Sequence, residues 1–131
     1  MKESIAGIIV HDDKFLIGHR FDTGEMANRW EFPGGKVDPG ETAEQAIVRE
    51  FFEEMDVRVT PGELLATVEF TNKNGPARLL AYRVFGITEL PSRLTEHTEL
   101  RWASLDEIET LDFVDSDKLL LPFLKKWSAH G

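Results

Sequence analysis

The sequence contains no cysteine among its 131 residues, so disulfide bonds, thiolate zinc sites and cysteine nucleophiles are excluded. Its four histidines are scattered without the spacing of metal ligands, which disfavours a zinc enzyme. Long hydrophobic runs are also missing. The apolar stretch near the N-terminus spans only 5–10, whereas a membrane-spanning helix needs about 20 apolar residues. We therefore expect a cytoplasmic protein with no membrane partner.

Basic residues are scarce, with 15 Lys and Arg against 24 Asp and Glu and a net charge of −9. A protein that binds nucleic acid through its phosphates needs a basic surface, so we expect no long nucleic acid as a partner. The negative charge is concentrated. Residues 31–56 hold eight acidic and two basic side chains, which leaves −3 for the rest of the chain. This segment is either a solubilising surface or a cation site.

The local sequence patterns predict a mixture of strands and helices within a single domain over 1–131. Hydrophobic and alternating runs predict strands at 5–10 and 15–20 as a hairpin, at 30–32, at 64–71 and 78–85 around an Asn-Gly turn, and at 100–103. Helices are predicted at 42–55, from Ser104, and at about 117–127, where Pro122 implies a kink or a later start. The expected fold is α/β (α+β), a mixed β-sheet sandwiched between α-helices.

The helix at 42–55 begins with a capping-box pattern, Thr42 followed by Gln45. At about 100° per residue, its large apolar side chains share one arc, which predicts the face that packs on the core. That arc contains Ile47, Val48, Phe51, Phe52 and Met55. Three glutamates, Glu50, Glu53 and Glu54, share the other side. The paired glycines Gly34-Gly35 are predicted to end the preceding strand in a bend.

The three glutamates form either a solvated helix face or a ligand site. Like charges at these spacings repel one another, and Glu54 lies in the last turn, where the helix dipole disfavours an anion. A glycine-rich turn that ends in Glu41 precedes the helix. Carboxylates of this kind suit Mg²⁺ or Mn²⁺, and a metal-bound phosphate is open to attack by water. The pattern therefore favours hydrolysis of a phosphate ester or anhydride.

These residues resemble the signature of the Nudix hydrolases, Gly-x5-Glu-x7-Arg-Glu-U-x-Glu-Glu-x-Gly-U, where U is bulky and aliphatic. Over 35–57 the sequence has Gly35, Glu41, Arg49-Glu50-Phe51, Glu53-Glu54 and Asp56-Val57 at the matching spacings. It departs from the signature at Phe51, which is aromatic, and at Asp56, which replaces the last glycine. Asp tolerates the left-handed conformation better than most residues, so we expect the turn to survive.

Further stretches, 26–36 and Glu96-His97-x-Glu99-x-x-Trp102, are similar to the MutT-type branch of this family. Members of that branch hydrolyse nucleoside triphosphates to the monophosphate and pyrophosphate. The resemblance implies the Nudix fold and Mg²⁺-dependent hydrolysis, with Mn²⁺ as a substitute and an oxidised nucleotide such as 8-oxo-dGTP as the favoured substrate. Rival substrates are CTP or dCTP, a nucleotide sugar and an RNA 5′ end. A nucleotide-sensing domain without catalysis is the non-enzyme alternative, and monomer and homodimer both remain open.

The resemblance also assigns roles to individual residues at the metal end. It implies metal ligation by Glu50, Glu53, Glu54 and the Gly35 carbonyl, and by Glu41 either directly or through water. Arg49 would orient the carboxylates, with a plain surface pair to Glu53 as the alternative. Glu96 would act as a metal ligand or as the general base, and Glu53 is the rival base.

At the substrate end, the resemblance implies that Arg20 and Lys36 contact phosphates and that Asp117 binds the nucleobase. Each has a simpler alternative: solvation for the two bases, and capping of the final helix for Asp117. An ionised Asp117 only accepts hydrogen bonds, so it would prefer an amino or N–H edge, as on guanine, 8-oxoguanine or cytosine.

Overall fold

The computed structural model describes residues 1–130, with side chains described through Ser128. Its strands, in chain order, are β1 (Lys2–Ile8), β2 (Val10–His11), β3 (Lys14–Arg20), β4 (Trp30–Glu31), β5 (Gly34–Lys36), β6 (Thr60–Asn72), β7 (Gly75–Phe85) and β8 (His97–Ala103). Its helices are α1 (Ala43–Met55), α2 (Leu105–Thr110), α3 (Asp115–Lys118) and α4 (Leu121–His130). None of the helices within this described part is long and apolar enough to cross a membrane.

The strands form two sheets of four. The first has the order β5-β1-β7-β6, with β1 and β7 parallel and the other pairs antiparallel. In the second, β3 is central, with β2 and β4 paired to it on one side and β8 on the other. The prediction of mixed strands between helices is confirmed, although the strands are divided between two sheets rather than joined in one.

Strand residues alternate between two hydrophobic clusters because successive side chains point to opposite faces of a sheet. Ile5 and Leu80 pack in the cluster that α1 closes, together with the α1 residues Ile47 and Phe51. Ala6, Leu79 and Phe15 pack in the other cluster, which receives the buried leucines Leu120 and Leu124 from the C-terminal region. The strands therefore lie between α1 on one side and the C-terminal helices on the other.

The predicted hairpin at 5–10 and 15–20 is only partly correct. The tight turn forms at Asp12 and Asp13, whose φ angles of 50° and 63° suit a two-residue loop, but only β2 pairs with β3 there. β1 instead joins β5 and β7 in the other sheet. Its hydrophobic pattern predicted a strand but contains no information about which partner the strand takes.

The strand at 30–32 was predicted to end in a bend at Pro33 and the paired glycines, and this is only partly correct. The chain bends at Pro33, as expected, but Gly34-Gly35 enters β5 and pairs with β1. A Cβ at Gly34 would lie 2.0 Å from the Ile5 carbonyl oxygen, so glycine is needed for this close strand contact. The glycines here serve strand packing rather than a turn.

The predicted hydrophobic arc of α1 is also partly wrong. Val48 and Phe52 are 38% and 46% exposed, whereas Ala46 and Glu54 are buried. The Arg58 guanidinium lies over the Phe52 ring at 5.1 Å, which covers part of that apolar surface. The buried face is therefore rotated toward the glutamates, and this brings one of them into the interior.

The remaining elements agree with the sequence. The segment 21–29 is a loop, and the long hairpin turns between Asn72 and Gly75. Ser104 caps α2 in a capping box with Glu107. The final segment breaks before α4 begins at Leu121, which places Pro122 in the first helical turn, where its missing N–H costs little.

Candidate active site

Caps fix where α1 begins and where it ends. Thr42 accepts a hydrogen bond from Gln45 N–H at 3.1 Å, and the Gln45 side chain accepts one from Thr42 N–H at 2.9 Å. At the C-terminal end, Asp56 adopts the left-handed conformation with φ 55° and ψ 38°, in the position where the family signature has glycine. These caps set which helical residues face the sheets, so they set the direction of the glutamates.

Arg49 connects the acidic residues of α1 to the loop before it. Its Nε and Nη2 donate to Glu41 Oε2 and Oε1 at 2.7 and 2.9 Å, and its Nη1 donates to Glu50 Oε1 at 2.8 Å. A further bond from Nη2 to the Lys36 carbonyl, at 2.9 Å, joins β5. The contacts with Glu53 and Asp38 are longer, both at 3.5 Å, so Arg49 does more than form a surface ion pair with Glu53.

These bonds shift the pKa values of the two carboxyls differently. The hydrogen bonds from Arg49 and then from Asp38 N–H lower the pKa of Glu41 to about 2. For Glu50, burial raises the pKa above its usual value, even though Arg49 donates to it. Glu41 is therefore held as an anion with both oxygens on the guanidinium.

Glu54 is the buried member of the acidic helix face. It is 5% exposed, and its Oε2 is buried without a hydrogen-bond partner in the described chain. Burial first, and then the charges of Glu50 and Glu31, raise the pKa of Glu54 to about 9. Burying a carboxylate without a cationic partner costs free energy, and a bound cation would reduce this cost.

Gly35 lies directly against this group of acids. A Cβ at this position would be 2.5 to 2.7 Å from the Glu50 carboxylate, closer than side chains approach one another. Because Gly35 has no side chain, the Glu50 carboxylate can lie directly against the β5 backbone. This contact agrees with the site expected at Gly35, although it does not show a metal bond.

The other two predicted acids are more open. The Glu53 side chain is 59% exposed and is not in the wall of the cleft described below. Glu96 is exposed in the loop before β8, yet it lies in that wall and its charge acts on Glu50 and Glu54. The structure thus brings Glu96, which is 42 positions beyond Glu54 in the sequence, to the same acidic end.

One cleft of about 600 Å³ is lined by seven of the predicted site residues, and we call it the acidic cleft. Its wall contains the group Gly35, Glu50, Glu54 and Glu96, which we call the metal end because metal ligation is predicted there, and it also contains Arg20, Lys36 and Asp117. Arg49, Glu41 and Glu53 are not in the wall. The cleft has the size of a small-ligand site.

The two basic residues predicted to contact phosphates, Lys36 and Arg20, differ in their surroundings. Lys36 is exposed at the end of β5. Arg20 Nη1 donates to both Glu31 oxygens at 3.1 and 3.2 Å, while its Nε is buried and without a partner in the described residues. Arg20 is therefore partly neutralised but retains a free donor.

Asp117 does not cap the final helix. It lies inside the short helix α3, where its Oδ2 accepts a hydrogen bond from Phe32 N–H at 2.9 Å. Burial is the main cause that raises the pKa of Asp117 to about 8, and the charge of Glu31 adds to it. This raised pKa favours the protonated carboxyl at neutral pH, and that form would donate as well as accept a hydrogen bond. The contact of Asp117 with a nucleobase stays a prediction.

Sequence reasoning missed two residues of the cleft region. Glu31 lies in the wall, and the buried His97 places its Nε2 2.9 Å from Glu31 Oε2. The available signal was an acid between the buried aromatics Trp30 and Phe32, and a histidine directly after Glu96. Neither position belongs to the signature, and only the fold joins strands β3, β4 and β8 here.

The sequence and the fold match a known family. A family model of the NUDIX domain matches residues 1–124, so the chain belongs to the Nudix hydrolases. The resemblance seen in the sequence is confirmed, and solved structures of proteins named MutT share the fold at 25% and 33% identity.

Individual relatives are similar along most of their length. The CTP pyrophosphohydrolase of Escherichia coli K12 is 32% identical, over 98% of this chain and 93% of that protein. A putative 8-oxo-dGTP diphosphatase 2 of Mycobacterium tuberculosis H37Rv is 36% identical, over 87% of this chain and 81% of that protein. The solution structure of the E. coli ORF135 protein has a TM-score of 0.87 at 33% identity, and covers 99% of this chain and 92% of that one.

Nudix hydrolases generally use divalent metals, and the acidic end fits such an ion. The orphaned Glu54 oxygen, with Glu50 and Glu96 nearby, supplies the hard oxygen donors that Mg²⁺ and Mn²⁺ prefer. Between residues 1 and 130, no group of three or more His, Asp or Glu side chains is already arranged to hold a metal ion. An ion at this end would therefore take further ligands from water and from substrate phosphates.

Proposed function

We propose that this Nudix hydrolase converts (deoxy)nucleoside triphosphates to the monophosphate and pyrophosphate with Mg²⁺, and that its favoured substrate is an oxidised guanine nucleotide such as 8-oxo-dGTP. The observation that carries the proposal is the continuity of the acidic cleft. One cavity of about 600 Å³ is lined both by the acids Glu50 and Glu54 and by Asp117, whose pKa burial raises to about 8. Such a cavity accommodates a charged phosphate chain at one end and a nucleobase at the other.

At the metal end, Glu50, Glu54 and the Gly35 carbonyl would hold Mg²⁺, with Mn²⁺ as a substitute. The bound cation neutralises phosphate charge and lowers the pKa of its water. Glu41 has both oxygens on Arg49, so we assign it contact with the metal through water rather than directly. Arg49 holds Glu50 in place for ligation and thereby acts as an orienting residue.

The attacking water needs a group that accepts its proton. Glu53 and Glu96 are the candidates because both are exposed carboxylates beside the buried acids. Each also remains a candidate metal ligand. The variants Glu53→Gln and Glu96→Gln separate these roles: the base variant lowers kcat at saturating Mg²⁺, whereas a lost ligand is partly rescued by more metal.

The phosphate chain would lie between the acids and the two bases. Lys36 offers an exposed ammonium group in the cleft wall. Arg20 offers its buried Nε–H, which a phosphate oxygen would satisfy while Nη1 stays on Glu31. These contacts compensate the negative charge of the substrate, which the acids alone would repel.

At the base end, protonated Asp117 presents an O–H donor beside an oxygen that accepts from Phe32. A donor next to an acceptor complements the O6 and N1–H edge of guanine, and equally the N3 and amino edge of cytosine. CTP or dCTP is therefore the second candidate substrate. It is favoured by the E. coli CTP pyrophosphohydrolase, which is 32% identical over 98% of this chain.

A pyrophosphate-release assay with Mg²⁺ on 8-oxo-dGTP, dGTP, CTP and dCTP tests the proposal. We expect kcat/KM to be highest for 8-oxo-dGTP. A higher value for CTP or dCTP would transfer the assignment to the second candidate, and no turnover of any triphosphate would refute hydrolysis. Nucleotide sugars and RNA 5′ ends serve as comparison substrates. Binding without turnover would indicate a sensor, although the chain retains Glu41, Glu50, Glu53 and Glu54.

A further inference from the structure

Three linked side chains at the acidic cleft form a network, and the proposed reaction gives a role only to Arg20 among them. Glu31 on β4 accepts from Arg20 Nη1 at 3.1 and 3.2 Å, and its Oε2 lies 2.9 Å from His97 Nε2. The Glu31 side chain is 15% exposed and that of His97 is 1% exposed. A charge-assisted bond between such buried groups is short and directional.

The imidazole of His97 is fixed in position by packing as well as by this bond. A Cβ at Gly18 would lie 2.5 Å from His97 Cδ2 and 2.7 Å from Nε2, so the ring rests directly on the β3 backbone. An apolar residue would fill this place without needing a polar partner. The histidine instead places its Nε2 against the Glu31 carboxylate in the cleft wall.

The position of His97 in the chain connects this network to the metal end. His97 is the first residue of β8 and pairs with Arg20 in register, directly beyond a β-bulge between His19 and Arg20. The preceding residue is Glu96, whose side chain is in the cleft wall. Because one peptide unit joins them, fixing His97 limits where Glu96 can lie.

We propose that His97 is a positioning residue, which holds Glu31 through its Nε2 and thereby fixes the adjacent Glu96 at the acidic end of the cleft. The bond to Glu31 and the packing on Gly18 hold the 95–98 segment on the His97 side. On the other side, Thr95 N–H and Oγ1 donate to the Glu54 carbonyl at 3.2 and 3.3 Å. Glu96 then stays next to Glu50 and Glu54 without being tied by a side-chain hydrogen bond of its own. The kinetic part of this proposal rests on the proposed function, whereas its structural part does not.

The test compares His97→Leu, which removes the ring nitrogen, with His97→Gln, whose amide N–H can reach the same carboxylate. We expect His97→Leu to lower kcat about 10- to 100-fold and His97→Gln to recover most of that loss. KM should change less than about 3-fold because substrate contacts remain. Thr98→Ala is the matched control. Thr98 follows His97 on β8 and its hydroxyl lies 2.8 Å from His19 Nδ1, but Thr98 is exposed and outside the cleft wall.

A second measurement, amide hydrogen exchange over 95–98, does not depend on turnover. We expect exchange there to accelerate at least about 10-fold in His97→Leu, with the β6 and β7 amides unchanged. If His97→Leu fails to fold, Glu31→Ala takes its place, since it leaves the ring but removes its partner, and the same acceleration of local exchange is expected. Only the exchange is compared in that variant, because Glu31→Ala also frees Arg20. Equal kcat for wild type and His97→Leu, or equal losses in His97→Leu and His97→Gln, would overturn the proposal. If wild type turns over no triphosphate, the proposed function fails, and the exchange result alone decides on His97.

Discussion

Arg49 holds Glu41 with two nearly parallel hydrogen bonds, Nε to Oε2 at 2.7 Å and Nη2 to Oε1 at 2.9 Å. The same guanidinium reaches Glu50 at 2.8 Å. Lysine has a single ammonium group and cannot satisfy two carboxylates and a carbonyl in one plane. The position of Glu50 therefore depends on the shape of the arginine as well as on its charge.

We predict that Arg49→Lys lowers kcat in pyrophosphate release about 10- to 100-fold, because Glu50 loses its fixed orientation. Arg78→Lys is the matched control, since Arg78 also bridges two acids, Glu3 and Glu69, but is not in the cleft wall. The control should retain activity. Similar activity losses in both variants would show that general loss of ion pairing, and not orientation of Glu50, causes the effect.

Gly35→Ala tests the close approach of backbone and carboxylate. The added Cβ would lie 2.5 Å from Glu50 Cδ, so Glu50 must move away from its place beside β5. We expect activity to fall at least about 10-fold, while far-UV circular dichroism stays unchanged because the displaced group is a side chain. Unchanged activity at every Mg²⁺ concentration would contradict a role for this contact.

Asp56→Gly should stabilise the protein. Asp56 has a φ of 55° at the end of α1, and a side chain in the left-handed region costs about 1 kcal/mol that glycine does not incur. The ion pair with Arg93 is 4.0 Å long and exposed, so its loss matters little. After allowance for the greater freedom of glycine in the unfolded chain, we expect a gain of about 0.5 kcal/mol in urea unfolding. Asp56→Ala, the control, should lose stability.

Asp117 gives a prediction for the pH dependence of stability. Its folded pKa of about 8 exceeds the ordinary value of 3.8, so the folded state binds the proton more tightly than the unfolded state. The contribution is favourable at low pH and is lost as pH rises from about 4 to about 8, by up to about 1.4 kcal/mol per unit. Asp117→Asn cannot ionise, so it should become more stable relative to wild type at pH 8 than at pH 5.

Urea midpoints in metal-free buffer at the two pH values measure this difference. Asp22→Asn, at an exposed loop position, is the control and should show no such trend. Because Glu54 remains in every variant, its own raised pKa cancels in the comparison. A constant difference between Asp117→Asn and wild type across this pH range would refute the buried, protonated state.

Local interactions explain why many elements and the acidic residues of α1 could be predicted from the sequence. The capping residue Thr42, the Asn-Gly turn near Asn74 and the displacement of the last helix by Pro122 each act over a few residues, and the structure confirms them. The signature at 35–57 is equally local, since Arg49 and the glutamates lie on one helix and on the turn before it.

Long-range packing explains why the predictions for the buried face of α1 and for the partner of β1 were partly wrong. Val48 and Phe52 satisfied the apolar pattern of α1, but the contact with β1 and β5 turned Ala46 and Glu54 inward instead. β1 pairs with β7, 75 positions away in the sequence, rather than with its neighbour. Such choices depend on which surfaces meet, and helical periodicity alone does not contain that information.

The sequence by itself determined the family, the elements and the acidic residues of α1, because these depend on residue type and short spacing. Only the tertiary structure decided that Glu54 is buried with one oxygen unpartnered among the described residues, that Asp117 is buried against Phe32 rather than capping the final helix, and that His97 meets Glu31. The physical reason is that burial and charge proximity are properties of the assembled fold. They raise the pKa of a carboxyl group without changing any residue.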